Sequence, residues 1–192
     1  MKTRGVRVDF LSYFQNKADL RPSKIKLLSY SDEYDVDRII TKSTSKGYLV
    51  KWKGFSLWDS TWEPLNSRCS STFEYIYRYP VVNNELIQSN TDNLLFVIRE
   101  RLGKRTGRCG LVAFRHDVFR HLFGLEKTRL FSREDFEHLN FPDCWDQFKG
   151  ERSGRKISFP MRMTLKVKFC KGHPMPYEAI DIEFVTERFS TI

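Results

Sequence analysis

Glu33-Tyr34-Asp35-Val36, Tyr48-Leu49-Val50-Lys51-Trp52-Lys53-Gly54-Phe55 and Ser60-Thr61-Trp62-Glu63-Pro64 are the stretches on which the fold turns. From Tyr34 to Ile40 the side chains alternate with an approximate period of two, which predicts a strand. Thr41 to Gly47, rich in Ser, Thr, Lys and Gly, reads as a turn. Tyr48 to Lys53 is β-favouring and alternating, so it predicts a second strand, punctuated by Gly54 and Ser56. Ser60 to Glu63 predicts a short third strand, stopped by Pro64, which has no N–H to give a ladder. Ser70 or Ser71 then caps a helix running to about Tyr79, with Phe73, Ile76 and Tyr77 at helical spacing and Pro80 ending it. Three strands followed by one helix make a small α+β module.

Working outward from the strands, the aromatic residues carry the chemistry. Tyr34, Trp52 and Phe55 fall at strand ends or in the turn that follows. Any one ring in a strand can simply be core. Tyr34 and Phe55, however, adjoin polar or turn residues, and rings grouped at the open end of a small sheet can surround a cation. The quaternary ammonium of trimethyl-lysine has no N–H to donate, so cation–π attraction and methyl contact are what remain to it. Each ring in such a cage contributes about 0.5–2 kcal/mol.

In these same residues the sequence resembles the chromodomain family: the acidic-Tyr-x-Val entry, the Tyr-Leu-Val-Lys-Trp-Lys-Gly-aromatic strand and the Thr-Trp-Glu-Pro exit keep the family's order and spacing over residues 32–79. The resemblance implies a three-stranded antiparallel sheet with a C-terminal helix. It implies a methyl-lysine cage of Tyr34, Trp52 and Phe55, with Asp59 as an acid beside the methylammonium; as a plain turn residue, Asp59 has the alternative reading. It further implies that a histone H3 tail inserts as an extended strand between Glu33–Asp37 and the segment after Pro64, a β-augmentation. In that arrangement Glu33, Asp35 and Asp37 form an acidic clasp and Val36 lines a pocket for an alanine of the tail. Glu63 and Asn66 complete the expected peptide-binding set. Trp62 reads as core, and Trp58 stands where the family usually has a polar residue, so it can extend the binding surface. The acidic entry looks like that of heterochromatin-type readers of the lysine-nine mark, more than Polycomb-type readers of lysine 27, and it suits a basic tail electrostatically.

The other segments are less articulate. Residues 1–30 are basic, with seven Lys/Arg against two Asp/Glu, and Arg21-Pro22-Ser23 interrupts a possible helix there. Residues 31–79 balance at seven of each sign, and the remainder of the net +9 comes from 80–192. Basic segments flanking a neutral module can contact nucleic acid non-specifically, or merely keep the chain in solution. Residues 80–93, polar and Asn-rich, read as a linker, and 94–192 as a mixed α/β region of unassigned fold. In that region helical spacing is expected over 94–101 and 111–125, and a capped helix from Ser132 towards Leu139. Residues 156–170 alternate as a strand with Met161, Met163, Leu165, Val167 and Phe169 on one face, partnered by 177–184.

At 192 residues, 40% hydrophobic and 15% aromatic, the chain has ample material for a core. Four scattered cysteines and the lack of a signal-peptide or membrane-spanning run predict an intracellular protein, and the resemblance places it in the nucleus on chromatin. Cys170-x-x-His173 is half a zinc site without a second pair, and the Gly103–Arg108 loop lacks the Gly-Lys-Ser/Thr ending of a phosphate-binding loop. No catalytic residue, metal or cofactor is expected. The chain also has the makings of a non-catalytic N-terminal part, or relative, of a chromodomain-containing lysine methyltransferase, because four cysteines cannot build that enzyme's zinc cluster and no methyltransferase motif is legible in 93–192.

Overall fold

A computed structural model describes residues 7–9, 33–104, 109–170 and 173–190. The helix expected before Arg21-Pro22 and the tip of the basic loop at 105–108 lie outside the described residues. The chain divides into two units, Met1–Tyr77 and Arg78–Ile192.

The first unit is an antiparallel sheet of β1 (Arg7–Asp9), β2 (Glu33–Ser43), β3 (Gly47–Trp52) and β4 (Thr61–Glu63), in that order. Helix α1 (Ser70–Arg78) follows. The predicted three strands and helix are all present, and β1 is an added edge. The turn between β2 and β3 demands glycine at Gly47, where φ is +91° and a Cβ would come within 1.9 Å of the Glu63 carbonyl oxygen. Ile39, Tyr48, Val50 and Trp52 from the sheet meet Phe73 and Tyr77 from α1 in one core. A polar clamp reinforces that seam: the Tyr48 hydroxyl donates to Glu74 Oε2 at 2.5 Å and Lys42 Nζ donates to the same oxygen at 2.7 Å. Burial, and then the Glu74 carboxylate, push the Tyr48 hydroxyl above its ordinary pKa.

The second unit holds α2 (Asn84–Gly103), β5 (Cys109–Ala113), α3 (His116–Phe123), β6 (Thr128–Phe131), a 3-10 turn over Glu134–Leu139, β7 (Gln147–Lys149), β8 (Ser153–Cys170) and β9 (His173–Ser190). Its sheet runs β5-β9-β8-β6, with β7 also on β8. The residues read as linker, 80–93, contain the start of α2: Asn83 caps it, its side chain accepting from the Leu86 N–H at 2.8 Å. The helix expected over 111–125 is instead a strand and then a shorter helix. The long hairpin of β8 and β9 extends the expected pair in both directions, and Cys170 pairs with His173 at its tip. Leu94, Ile98 and Leu102, one stripe of α2, belong to the same core as Val112, Phe119, Met161, Met163, Ile180 and Ile182.

Aromatic rings fill the centre of this core. Phe136 lies 5.1 Å from Trp145, 5.8 Å from Phe123 and 5.9 Å from Phe131, centroid to centroid. His116 is also buried, its Nε2 within 3.0 Å of the Ala179 carbonyl and its backbone N–H donating to Glu178 Oε2. Burial holds the His116 imidazole below its ordinary pKa. Phe136→Ala is expected to cost the second unit about 3–5 kcal/mol, measured by denaturant unfolding of the full chain.

Candidate functional site

The site is built where β2, β3 and the turn after β3 meet. β2 changes partner along its length, pairing with β1 over Glu33–Asp35 and with β3 from Val36 onward. Val36 is opposite Trp52, and the Lys53 N–H donates to the Asp35 carbonyl at 2.8 Å, so the end of β3 is tied beside Tyr34. Gly54, at φ +81°, then turns the chain back, and the Phe55 N–H donates to the Trp52 carbonyl at 3.3 Å. The ammonium of Lys51 fastens the same turn, donating to the carbonyls of Trp52 and Phe55.

The three aromatic residues therefore come together, in unequal situations. Trp52 is only 2% exposed and belongs to the core, against which Tyr34 and Val36 pack. Phe55 is 43% exposed. The Tyr34 and Phe55 rings touch edge to face, centroids 5.0 Å apart at 83°. A methylammonium seated between those two rings requires them to part. The group is thus a closed cluster with a buried floor.

Trp52 is held by a chain of hydrogen bonds. Its Nε1–H donates to Thr61 Oγ1 at 2.9 Å, and the Thr61 hydroxyl donates to Glu63 Oε1 at 2.7 Å. Glu63, expected at the peptide, is only 6% exposed and its carboxylate is turned to this internal partner. Burial pushes the Glu63 carboxyl above its ordinary pKa, and the Thr61 hydroxyl pulls it partly back. Thr61 and Lys51 did not stand out in the sequence; a hydroxyl two residues before a strand-end acid is the one local sign of the first.

The remaining residues scatter around this centre. Asp59 is exposed at the end of a 3-10 turn (Leu57–Asp59), where its Oδ2 accepts from the Ser56 N–H at 3.0 Å and from the Ser56 hydroxyl at 2.8 Å. Trp58, in that turn, is largely exposed, whereas Trp62, expected in the core, is half-buried with Lys46 Nζ 5.6 Å above its ring. Asp37 pairs with Arg38 at 2.7 Å and lies 3.7 Å from Lys51. Asp35 is half-buried, and Glu33 opens β2 opposite Asp9. After Pro64 the backbone makes consecutive turns, with the Ser67 N–H donating to the Pro64 carbonyl, and Asn66 is exposed within them.

With this geometry in place, the comparison with protein families is decisive for the first unit: the model of the Chromo (chromatin organisation modifier) domain matches residues 34–79. Residues 34–79 are a chromodomain. No curated protein and no solved structure matches it. A chromodomain points in general to chromatin or methyl-lysine binding and to a chromatin-associated module, and the match ends at Tyr79.

Two consequences test how the chromodomain floor is held. Thr61→Val removes the acceptor of the Trp52 Nε1–H and the donor to Glu63, so it should destabilise the chromodomain by about 1–3 kcal/mol in denaturant unfolding, with Thr61→Ser restoring most of the loss. Because the folded-state pKa of Glu63 is raised, its neutral form favours the fold; that contribution is complete below the unfolded value of 4.5 and is lost as pH rises through the folded value. Unfolding measured from pH 4 to 7 should therefore show the parent chain losing stability relative to Glu63→Gln as pH rises.

Proposed function

We propose that the chromodomain recognises a methylated lysine on a histone H3 tail, with the lysine-nine mark as its ligand, and that it acts by binding, with no reaction catalysed, in silenced chromatin of the nucleus. The observation that carries this is the contact of Tyr34 and Phe55 at 5.0 Å, beside the buried Trp52 and within reach of solvent. The rings offer a quaternary ammonium what it can use, namely π-faces and desolvated contact. Trp52 is the floor of the cage, Tyr34 and Phe55 are its walls, and Asp59 adds negative charge from the adjoining turn. The tail lies extended along Glu33–Asp37, where backbone groups supply affinity, Val36 borders the alanine pocket, and Asp35 and Asp37 attract the tail's basic residues. Asn66 meets the tail from the turns after Pro64, and Glu63 serves the site from inside through Thr61.

The test is calorimetric titration of the full chain with H3 peptides, unmethylated, trimethylated at lysine nine and trimethylated at lysine 27. The lysine-nine peptide should bind most tightly, and Phe55→Ala, on an exposed ring outside the core, should weaken it by about 2- to 30-fold. Equal binding of methylated and unmethylated peptides would sink the proposal. A rival contact, nucleic acid on the basic flanks, is recognised by affinity that falls steeply with salt and ignores Phe55→Ala.

A further inference from the structure

We propose that the chain's own segment Arg7–Asp9 occupies the peptide-docking edge of the chromodomain and competes with the methylated tail for it. This inference rests on the reader function proposed above and adds a regulator to it. β1 pairs antiparallel with β2 at Asp9↔Glu33, Val8↔Tyr34 and Arg7↔Asp35. These are the first residues of the Glu33–Asp37 stretch along which the tail is proposed to lie, and the central pair contains Tyr34, a wall of the cage. The other side of β2 is taken, by β3 from Val36 onward and by the Lys53 N–H on the Asp35 carbonyl. At Glu33–Asp35 one edge therefore remains for pairing, and β1 lies along it. Backbone N–H and C=O groups bonded to one strand cannot serve a second at the same time, so β1 and an extended peptide exclude each other.

The paired residues set Arg7 opposite Asp35 and Asp9 opposite Glu33, so the charge that favours this occupant comes from the wider segment. The entry Asp32-Glu33-Tyr34-Asp35-Val36-Asp37 holds four acids, whereas residues 1–30 hold seven Lys/Arg against two Asp/Glu. What would draw a basic histone tail also draws the chain's basic N-terminal segment. A ladder of three residues is short enough to be displaced. Belonging to the same chain nonetheless gives it a high effective concentration, so a weak pairing lowers the apparent affinity for any peptide in solution.

The experiment compares the full chain with a chain lacking residues 1–9 and with the full chain carrying Arg7→Pro and Val8→Pro, since one of two neighbouring strand N–H groups faces the partner strand. Amide hydrogen exchange at Glu33–Asp35 and calorimetry with the lysine-nine-trimethylated H3 peptide are the two readouts. The inference expects the amide of this stretch that faces β1, that of Tyr34, to lose protection in both variants and the affinity to rise together in both. A tenfold gain corresponds to an edge that is about one-tenth open in the parent chain. Unchanged protection on deletion overturns the pairing, and equal affinity in all three chains overturns the competition. Weaker binding by the variants makes β1 a supporting wall of the groove and also overturns it. If no chain binds the methylated peptide while protection is still lost, the reader function itself fails and the competition with it, a result distinct from the others.

Discussion

Burying the Trp52 indole among Ile39, Tyr48, Val50, Phe73 and Tyr77 requires a partner for its N–H, because an unsatisfied buried donor costs as much as a lost hydrogen bond. Thr61 supplies it at 2.9 Å and passes its own hydroxyl hydrogen to Glu63. Three consecutive demands are met by residues on β3 and β4, so the pairing of those strands, the exit at Pro64 and the position of the indole are a single arrangement. Gly47 belongs to it as well, because only a residue without Cβ lets the β2–β3 turn approach the Glu63 carbonyl. Disturbing any member moves the indole against which Tyr34 and Val36 pack.

That arrangement divides labour between the rings. Trp52 serves stability first, and it reaches the site as a fixed floor. Tyr34 is carried by a strand end and is half-buried, and Phe55 is carried by a turn and is exposed. Their edge-to-face contact closes the cluster without locking it, since a ring pair of this kind contributes only about 0.5–1.5 kcal/mol beyond its buried area. Lys51 and the Ser56–Asp59 cap hold the backbone of the turn while its side chains face solvent. A rigid floor with adjustable walls suits a ligand group that offers no directional hydrogen bond.

Much of the first unit was legible because its signals are local. The alternation from Tyr48 to Trp52 and the stop at Pro64 specify strands wherever they occur, and Phe73 and Tyr77 at helical spacing specify a face. Glu63 and Trp62 were harder, since burial of a charged residue depends on a hydroxyl that only the folded strand brings to it, and Lys46 shields a ring that reads as core. In the second unit, Asn90 and Thr91 look like linker residues, yet both are buried inside α2. Asn90 bonds back to the Leu86 carbonyl and accepts from the distant Arg115 N–H, a tertiary partner no window of sequence contains. Leu111 to Leu125 reads as one helix because short apolar runs fit either period, and the strand pairing of β5 with β9 decides between them. A three-residue strand such as β1 has too little periodicity to be seen at all.

In the proposed reader, Tyr34, Trp52 and Phe55 act together on one methylated ammonium. Nuclear Overhauser contacts measured in the full chain bound to a lysine-nine-trimethylated H3 peptide address it most directly. Contacts are expected from the N-methyl protons to all three rings, with the Trp52 indole N–H still protected by its bond to Thr61. A bound peptide whose N-methyl protons reach neither Tyr34 nor Phe55 would contradict it.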